Sequence, residues 1–92
     1  MSTLLPSRTG FTIYQSSYCP YCKKAIDLLE KYSMTFKNID IETIQGNLPK
    51  ILSYFRKHES IYAFNNEHKT RPLIFYNGKF IGGFSELESL FS

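Results

Sequence analysis

Apolar and polar residues change period several times along the chain, and each change marks an element boundary. Phe11-Thr12-Ile13-Tyr14 alternates after Gly10, which predicts a strand running into the polar turn Gln15-Ser16-Ser17. After Pro20 the period lengthens: Cys22, Ala25, Ile26 and Leu29 fall at i, i+3, i+4 and i+7, with Lys23, Asp27, Glu30 and Lys31 on other faces. This predicts an amphipathic helix beginning at or just before Pro20, a residue tolerated at the first helical position. Phe36 to Ile41 predicts a second strand, with Ile39 and Ile41 alternating with Asp40. If the two strands are parallel neighbours, their crossover is right-handed and the helix covers one sheet face. Asn47 is placed to cap a second helix, with Pro49 in its first turn and Leu48, Ile51, Leu52 and Phe55 on its inner stripe. From His58 to Thr70 no single period holds. Ile61, Tyr62 and Phe64 suffice there for one further helical turn on the core, before the polar run Asn65 to Lys69. Leu73–Tyr76 and Lys79–Ile81 flank Asn77-Gly78, a dipeptide that accepts the positive φ values of a type I′ turn, and so predict a hairpin. Gly82-Gly83 ends it, and Ser85-Glu86-Leu87-Glu88 matches a capping box for a closing helix with Leu87, Leu90 and Phe91 on one face. The order is βαβ, α, ββα, an α/β arrangement.

Composition narrows the setting. Ninety-two residues, 42% hydrophobic and 21% charged, leave room for one domain spanning 1–92. A chain this short buries roughly 60% of its unfolded surface, so its 8 Phe and 7 Tyr must supply much of a thin core. Eleven basic against 8 acidic residues give a net charge of +3, but only Lys23-Lys24 and Arg56-Lys57 are adjacent. That excludes a nucleic-acid-binding stripe. Met1 to Gly10 holds no apolar run of signal-peptide length, and nowhere do 18 apolar residues follow one another. The expectation is a soluble, cytoplasmic monomer without a membrane partner. In a reducing compartment its two cysteines, Cys19 and Cys22, point to redox chemistry or metal binding rather than to a permanent staple.

Cys19-Pro20-Tyr21-Cys22 lies where the first strand hands over to the first helix. At the helix start, free N–H groups and the positive end of the macrodipole favour the Cys19 thiolate over its thiol. Cys22, one turn on, shares the stripe of Ala25, Ile26 and Leu29 and is expected to be the more buried sulfur. An accessible attacking thiol with a shielded partner suits reversible disulfide exchange. Two alternatives stand beside it: a zinc half-site completed by His58 and His68, which lack the close His-x(3–5)-His spacing of such sites, and a pair of inert thiols. Thr70-Arg71-Pro72 opens the hairpin. Its proline is either an edge marker or the second half of a cis Arg71–Pro72 peptide that turns Arg71's backbone toward an extended, thiol-bearing partner. Gly82-Gly83-Phe84-Ser85-Glu86 is a helix cap, and glycines before a helix start also present N–H groups able to hold a carboxylate. Tyr18 and Tyr21 flank the first cysteine, whereas His58 and His68 read as solvated. Lys23 and Lys24 are candidates to stabilise the thiolate or draw in an anion, against the ordinary reading of an exposed charged face.

Taken together, Cys19-Pro20-Tyr21-Cys22, Thr70-Arg71-Pro72 and Ile81-Gly82-Gly83-Phe84-Ser85-Glu86-Leu87 make the chain resemble a dithiol glutaredoxin. The resemblance implies a thioredoxin-like fold: a four-stranded mixed sheet flanked by three or more helices. It further implies glutathione-dependent reduction of protein disulfides and glutathione mixed disulfides, glutathione acting as co-substrate with no metal. Cys19 becomes the nucleophile, Cys22 the resolving thiol and Pro72 the cis proline. Tyr21, Thr70, Arg71, Pro72, Gly83, Ser85 and Glu86 become glutathione contacts, Arg71 toward the cysteinyl unit, Ser85 and Glu86 toward the γ-glutamyl end. Disulfide-bearing proteins, ribonucleotide reductase among them, are the implied partners. Two competing functions stay open: a small thioredoxin-like electron donor recharged by a flavoprotein reductase, and a metal or iron–sulfur binding module using Cys19. Three departures from the family's pattern are visible. Relatives commonly carry Lys or Arg three positions before the first cysteine, where this chain has Ser16. They carry an apolar residue before the cis proline, where this chain has Arg71, a candidate for the displaced positive charge. The stretch from His58 to Lys69 is longer than in many relatives, and no residue is assigned there to the polar anchor expected from the second helix.

Overall fold

The computed structural model describes residues 5–91, so the first four residues of the stretch read above as lacking an apolar run of signal-peptide length lie outside the described residues. Its elements are β1 (Phe11–Gln15), α1 (Pro20–Lys31), β2 (Phe36–Asp40), α2 (Asn47–Lys57), α3 (Glu59–Tyr62), β3 (Leu73–Tyr76), β4 (Lys79–Gly82) and α4 (Phe84–Phe91). A 3-10 turn at Ile41–Thr43 follows β2. β1 runs parallel to β2, from Phe11 opposite Phe36 to Gln15 opposite Asp40, and antiparallel to β3, with Tyr14 opposite Leu73. β3 pairs antiparallel with β4, giving a mixed sheet in the order β2-β1-β3-β4. No helix among the described residues is long and apolar enough to cross a membrane.

Alternation along β1 and β3 sends side chains to two faces, and helices cover both. On one face Phe11, Ile13 and Ile74 meet Ala25 and Leu29 of α1 and Leu87 of α4. On the other, Tyr14, Leu73 and Phe75 meet Ile51, Leu52 and Phe55 of α2, together with Phe64. The aromatic residues do carry this thin core: the Phe55 ring lies 5.5 Å from Tyr14 and 4.7 Å from Phe75. Thr12, fully buried, keeps its hydroxyl satisfied by accepting the Ser7 N–H at 2.9 Å. At the hairpin, Asn77 and Gly78 both take positive φ, 52° and 81°, as a type I′ turn requires.

Helix entries depart from the sequence-based expectation. Asn47 does not cap α2. Gly46 holds the cap position with φ 90°, Asn47 follows with φ 56°, and no side chain caps the helix. Two successive left-handed residues make the turn, and Asn47 Oδ1 ends up buried without a hydrogen-bond partner among the described residues. In α4 the capping box sits two residues earlier than Ser85–Glu88. Gly83 N–H donates to Glu86 Oε1 at 2.8 Å, Leu87 N–H donates to Gly83 O, and Ser85 lies inside the first turn. Gly82, at φ 129°, must be glycine here, because a Cβ would stand 2.5 Å from the Glu86 side chain.

Three smaller corrections concern burial. β2 stops at Asp40, whose Oδ1 accepts the Glu42 N–H and starts the 3-10 turn, so Ile41 leaves the strand yet stays buried. In the stretch from His58, Phe64 packs into the core and Tyr62 at its margin, while Ile61 is 57% exposed because the single turn of α3 ends at Ala63 in a left-handed conformation. Leu90 is likewise exposed. α4 turns Leu87 to the sheet and Phe91 onto Tyr32, the two rings stacking at 4.6 Å.

Candidate active site

β1 ends at Gln15, and the turn after it places Cys19 as the N-cap of α1, with φ −105° and ψ 112°. Cys19 N–H donates to Ser16 O, and Pro20 occupies the first helical position, where its missing donor costs nothing. The Cys22 N–H, one of the orphan donors of the helix start, points at Cys19 Sγ over 3.2 Å. Cys19 is partly exposed; Cys22 is fully buried against the sheet. Burial, first, and a hydrogen bond with Cys19, second, push the Cys22 thiol up to about 12, while the nearby Arg71 charge pulls the other way. The two sulfurs therefore differ as the sequence led one to expect, one reachable and one shielded in its protonated form.

The Arg71–Pro72 peptide is cis. It places Arg71 O 3.6 Å from Cys19 Sγ, where the thiol form donates to it. All seven residues assigned by resemblance to glutathione (Tyr21, Thr70, Arg71, Pro72, Gly83, Ser85 and Glu86) line one open cleft of about 200 Å³, together with Phe84 and His68, whereas Cys19 itself lines a separate concavity with Ser16, Ser17 and Lys23. The Gly83 N–H is not free to hold a ligand, since it is bound by Glu86, and one Glu86 oxygen is committed to it.

Sequence reasoning missed two residues here. His68, read as solvated, is half-buried in the cleft: in its Nε2–H form it donates to Pro72 O at 3.3 Å, and its ring stands edge-on to Phe80 at 5.0 Å. Glu42 accepts the Ser16 hydroxyl at 2.8 Å and faces Arg71 Nη2 at 3.9 Å. Neither carries a local motif, and only the tertiary fold brings them in. Of the lysines of α1, Lys23 pairs with Asp27 at 3.5 Å in the concavity that Cys19 lines, and Lys24 lies over the Tyr21 ring. His58 packs on Tyr54, and among the described residues no three His, Cys, Asp or Glu side chains converge as a metal site would require. Another concavity, almost wholly apolar, lies between Leu5, Tyr14, Ile51 and Tyr54, with Lys50 at its wall.

The family model for glutaredoxins matches residues 11–81. The chain belongs to the glutaredoxin family. Its fold is thioredoxin-like, and it is a thiol–disulfide oxidoreductase. This glutaredoxin is 37% identical to a probable glutaredoxin of Acanthamoeba polyphaga mimivirus, over 95% of this chain and 87% of that one. It superposes on glutaredoxin 1 of Francisella tularensis with a TM-score of 0.72 at 28% identity, covering 86% of this chain and 87% of that one. A buckwheat glutaredoxin–glutathione complex shares the fold, with a TM-score of 0.72 at 18% identity over 96% and 73% of the two chains. The glutaredoxin's Cys19-Pro20-Tyr21-Cys22 thus sits at the strand-to-helix junction of a thioredoxin-like sheet, with the two cysteines close together.

Proposed function

We propose that this glutaredoxin reduces protein disulfides and glutathione mixed disulfides with glutathione as co-substrate, Cys19 acting as nucleophile and Cys22 as resolving thiol. The reading is carried by one observation: the partly exposed Cys19 sulfur takes an N–H from the helix start and lies 3.6 Å from the backbone oxygen of Arg71, one of the seven residues, all lining one cleft, that the family resemblance assigns to glutathione. The glutathione bound by the fold-sharing buckwheat protein supports it.

In the one-cysteine route the Cys19 thiolate attacks the glutathione sulfur of a mixed disulfide. The protein thiolate leaves and takes a proton, and Cys19 holds the glutathione. A second glutathione thiolate then attacks that disulfide, forming glutathione disulfide and freeing Cys19. With a protein disulfide, Cys19 forms a mixed disulfide with the substrate. Cys22 loses its proton, attacks Cys19 and releases the second substrate thiol, and glutathione later reduces the Cys19–Cys22 bond. The raised thiol of Cys22 makes this second route wait on that deprotonation. The backbone at Arg71 is placed to pair with an extended partner, and the first turn of α4 to meet its carboxylate through the N–H groups that Glu86 does not occupy.

Turnover of a small glutathione mixed disulfide, coupled to glutathione reductase, tests this. Wild type and Cys22→Ser are expected to turn over, and Cys19→Ser to be inactive; reduction of a protein disulfide is expected to be lost in both variants. Reduction of the oxidised enzyme by a flavoprotein thioredoxin reductase but not by glutathione would replace this reading with that of a thioredoxin-like electron donor.

A further inference from the structure

Near the reacting sulfur an ion pair joins Arg71 of the Thr70-Arg71-Pro72 motif to Glu42, which belongs to no motif. Ser16 occupies the position where relatives commonly carry Lys or Arg. Its side chain is almost fully buried, and its hydroxyl donates to Glu42 Oε2 at 2.8 Å. The same oxygen lies 3.9 Å from Arg71 Nη2, beyond hydrogen-bond range, and Arg71 Nε is buried with no hydrogen-bond partner among the described residues. The Arg71 backbone oxygen is 3.6 Å from Cys19 Sγ, so this arrangement adjoins the sulfur itself.

A guanidinium offers five N–H donors in a fork that suits a carboxylate. The one at Arg71 has its charge offset by Glu42 while its donors remain unsaturated. A substrate carboxylate arriving there is attracted by Arg71 and repelled by Glu42. Removing the Glu42 charge leaves only the attraction.

We propose that Glu42 is a specificity-determining residue: held by Ser16 and facing Arg71, it weakens the draw of the site on carboxylate-bearing thiol partners. The assignment rests on the glutathione reading above. It makes a prediction separate from that reading, because it concerns the contrast between two co-substrates rather than turnover itself.

The test compares glutathione with its glycine ethyl ester, which lacks one carboxylate, as reducing co-substrate for wild type and Glu42→Gln. Glutamine keeps an acceptor for the Ser16 hydroxyl and removes the charge. The ratio of KM for glutathione to KM for the ester is expected to fall about two- to fivefold in Glu42→Gln, the range of a partly exposed charge pair. In an Arg71→Gln background the same change is expected to move the ratio less, because no guanidinium then draws a carboxylate to this spot, a coupling that a purely structural role for Glu42 does not produce. A ratio unmoved by Glu42→Gln, or moved equally with and without Arg71, overturns the assignment while the glutathione reading stands. Wild type that turns over with neither co-substrate overturns both.

Discussion

Two cysteines three positions apart acquire different chemistry because α1 starts at the surface and reaches the sheet one turn later. Cys19 keeps access to solvent and accepts a backbone N–H, whereas Cys22 is packed with Ala25 and Leu29 on the inner stripe. The burial contrast could be read from the spacing alone, since position 22 shares the period of positions 25, 26 and 29. The surroundings of Arg71 could not, because Glu42 lies 29 positions before it in sequence and reaches it only through the turn after β2. The Cys22 thiol carries a pH signature. It ionises near 9.0 when unfolded but is held up to about 12 in the fold, so between those values the unfolded chain releases a proton that the native chain keeps. The stability associated with Cys22 is fully present below about 9 and is lost as pH rises toward 12; buried Tyr14 and half-buried Tyr62, both raised by desolvation first, act in the same direction. Urea midpoints are expected to fall across that range, and to fall less steeply in Cys22→Ala. Equal slopes in the two proteins would contradict the burial of that thiol in its neutral form.

Where a signal is local, the element it predicts is present. The 3.6-residue period of α1 and the Asn-Gly turn are local, and both are found. Entry to α2 depends on two consecutive left-handed residues, Gly46 and Asn47, which an Asn followed by an apolar stripe does not announce. The segment after His58 has no period because tertiary contacts hold it instead: Phe64 is buried against Phe55 and Phe80, and Lys79 Nζ donates to Ile61 O. In α4 the cap depends on Glu86 bonding back to Gly83, so Glu86→Ala is expected to cost about 1 kcal/mol, the scale of a lost helix cap. Thermal unfolding of this variant beside Glu88→Ala, which lies outside the observed box, separates the two registers; a larger loss at Glu88 would contradict the one described. Leu29 of α1 is fully buried under the sheet, and its truncation to Ala is expected to cost about 2–5 kcal/mol by denaturant unfolding, far more than truncation of exposed Leu90.

Sheet order is what assembles the site. Because β1 and β3 are antiparallel neighbours with Tyr14 opposite Leu73, the end of β1 and the start of β3 fall at one edge of the sheet. The return of β4, with Gly82 opposite Ile74, brings the start of α4 to that same edge. Three motifs distant in sequence thus meet at one end of the sheet, and Arg71, 52 positions from Cys19, comes into contact with its sulfur. The motifs themselves could be read from the chain; their convergence followed only from resemblance, and His68 and Glu42, which join them through the fold, carried no sequence signal. The most direct check of which sulfur meets the substrate is transfer of glutathione from a glutathionylated peptide to native Cys19→Ser and Cys22→Ser, followed by mass spectrometry. Cys22→Ser is expected to gain one glutathione as the peptide thiol is released, and Cys19→Ser, left with its buried Cys22, to gain none. Uptake by Cys19→Ser as fast as by Cys22→Ser would contradict the division of roles between the two cysteines.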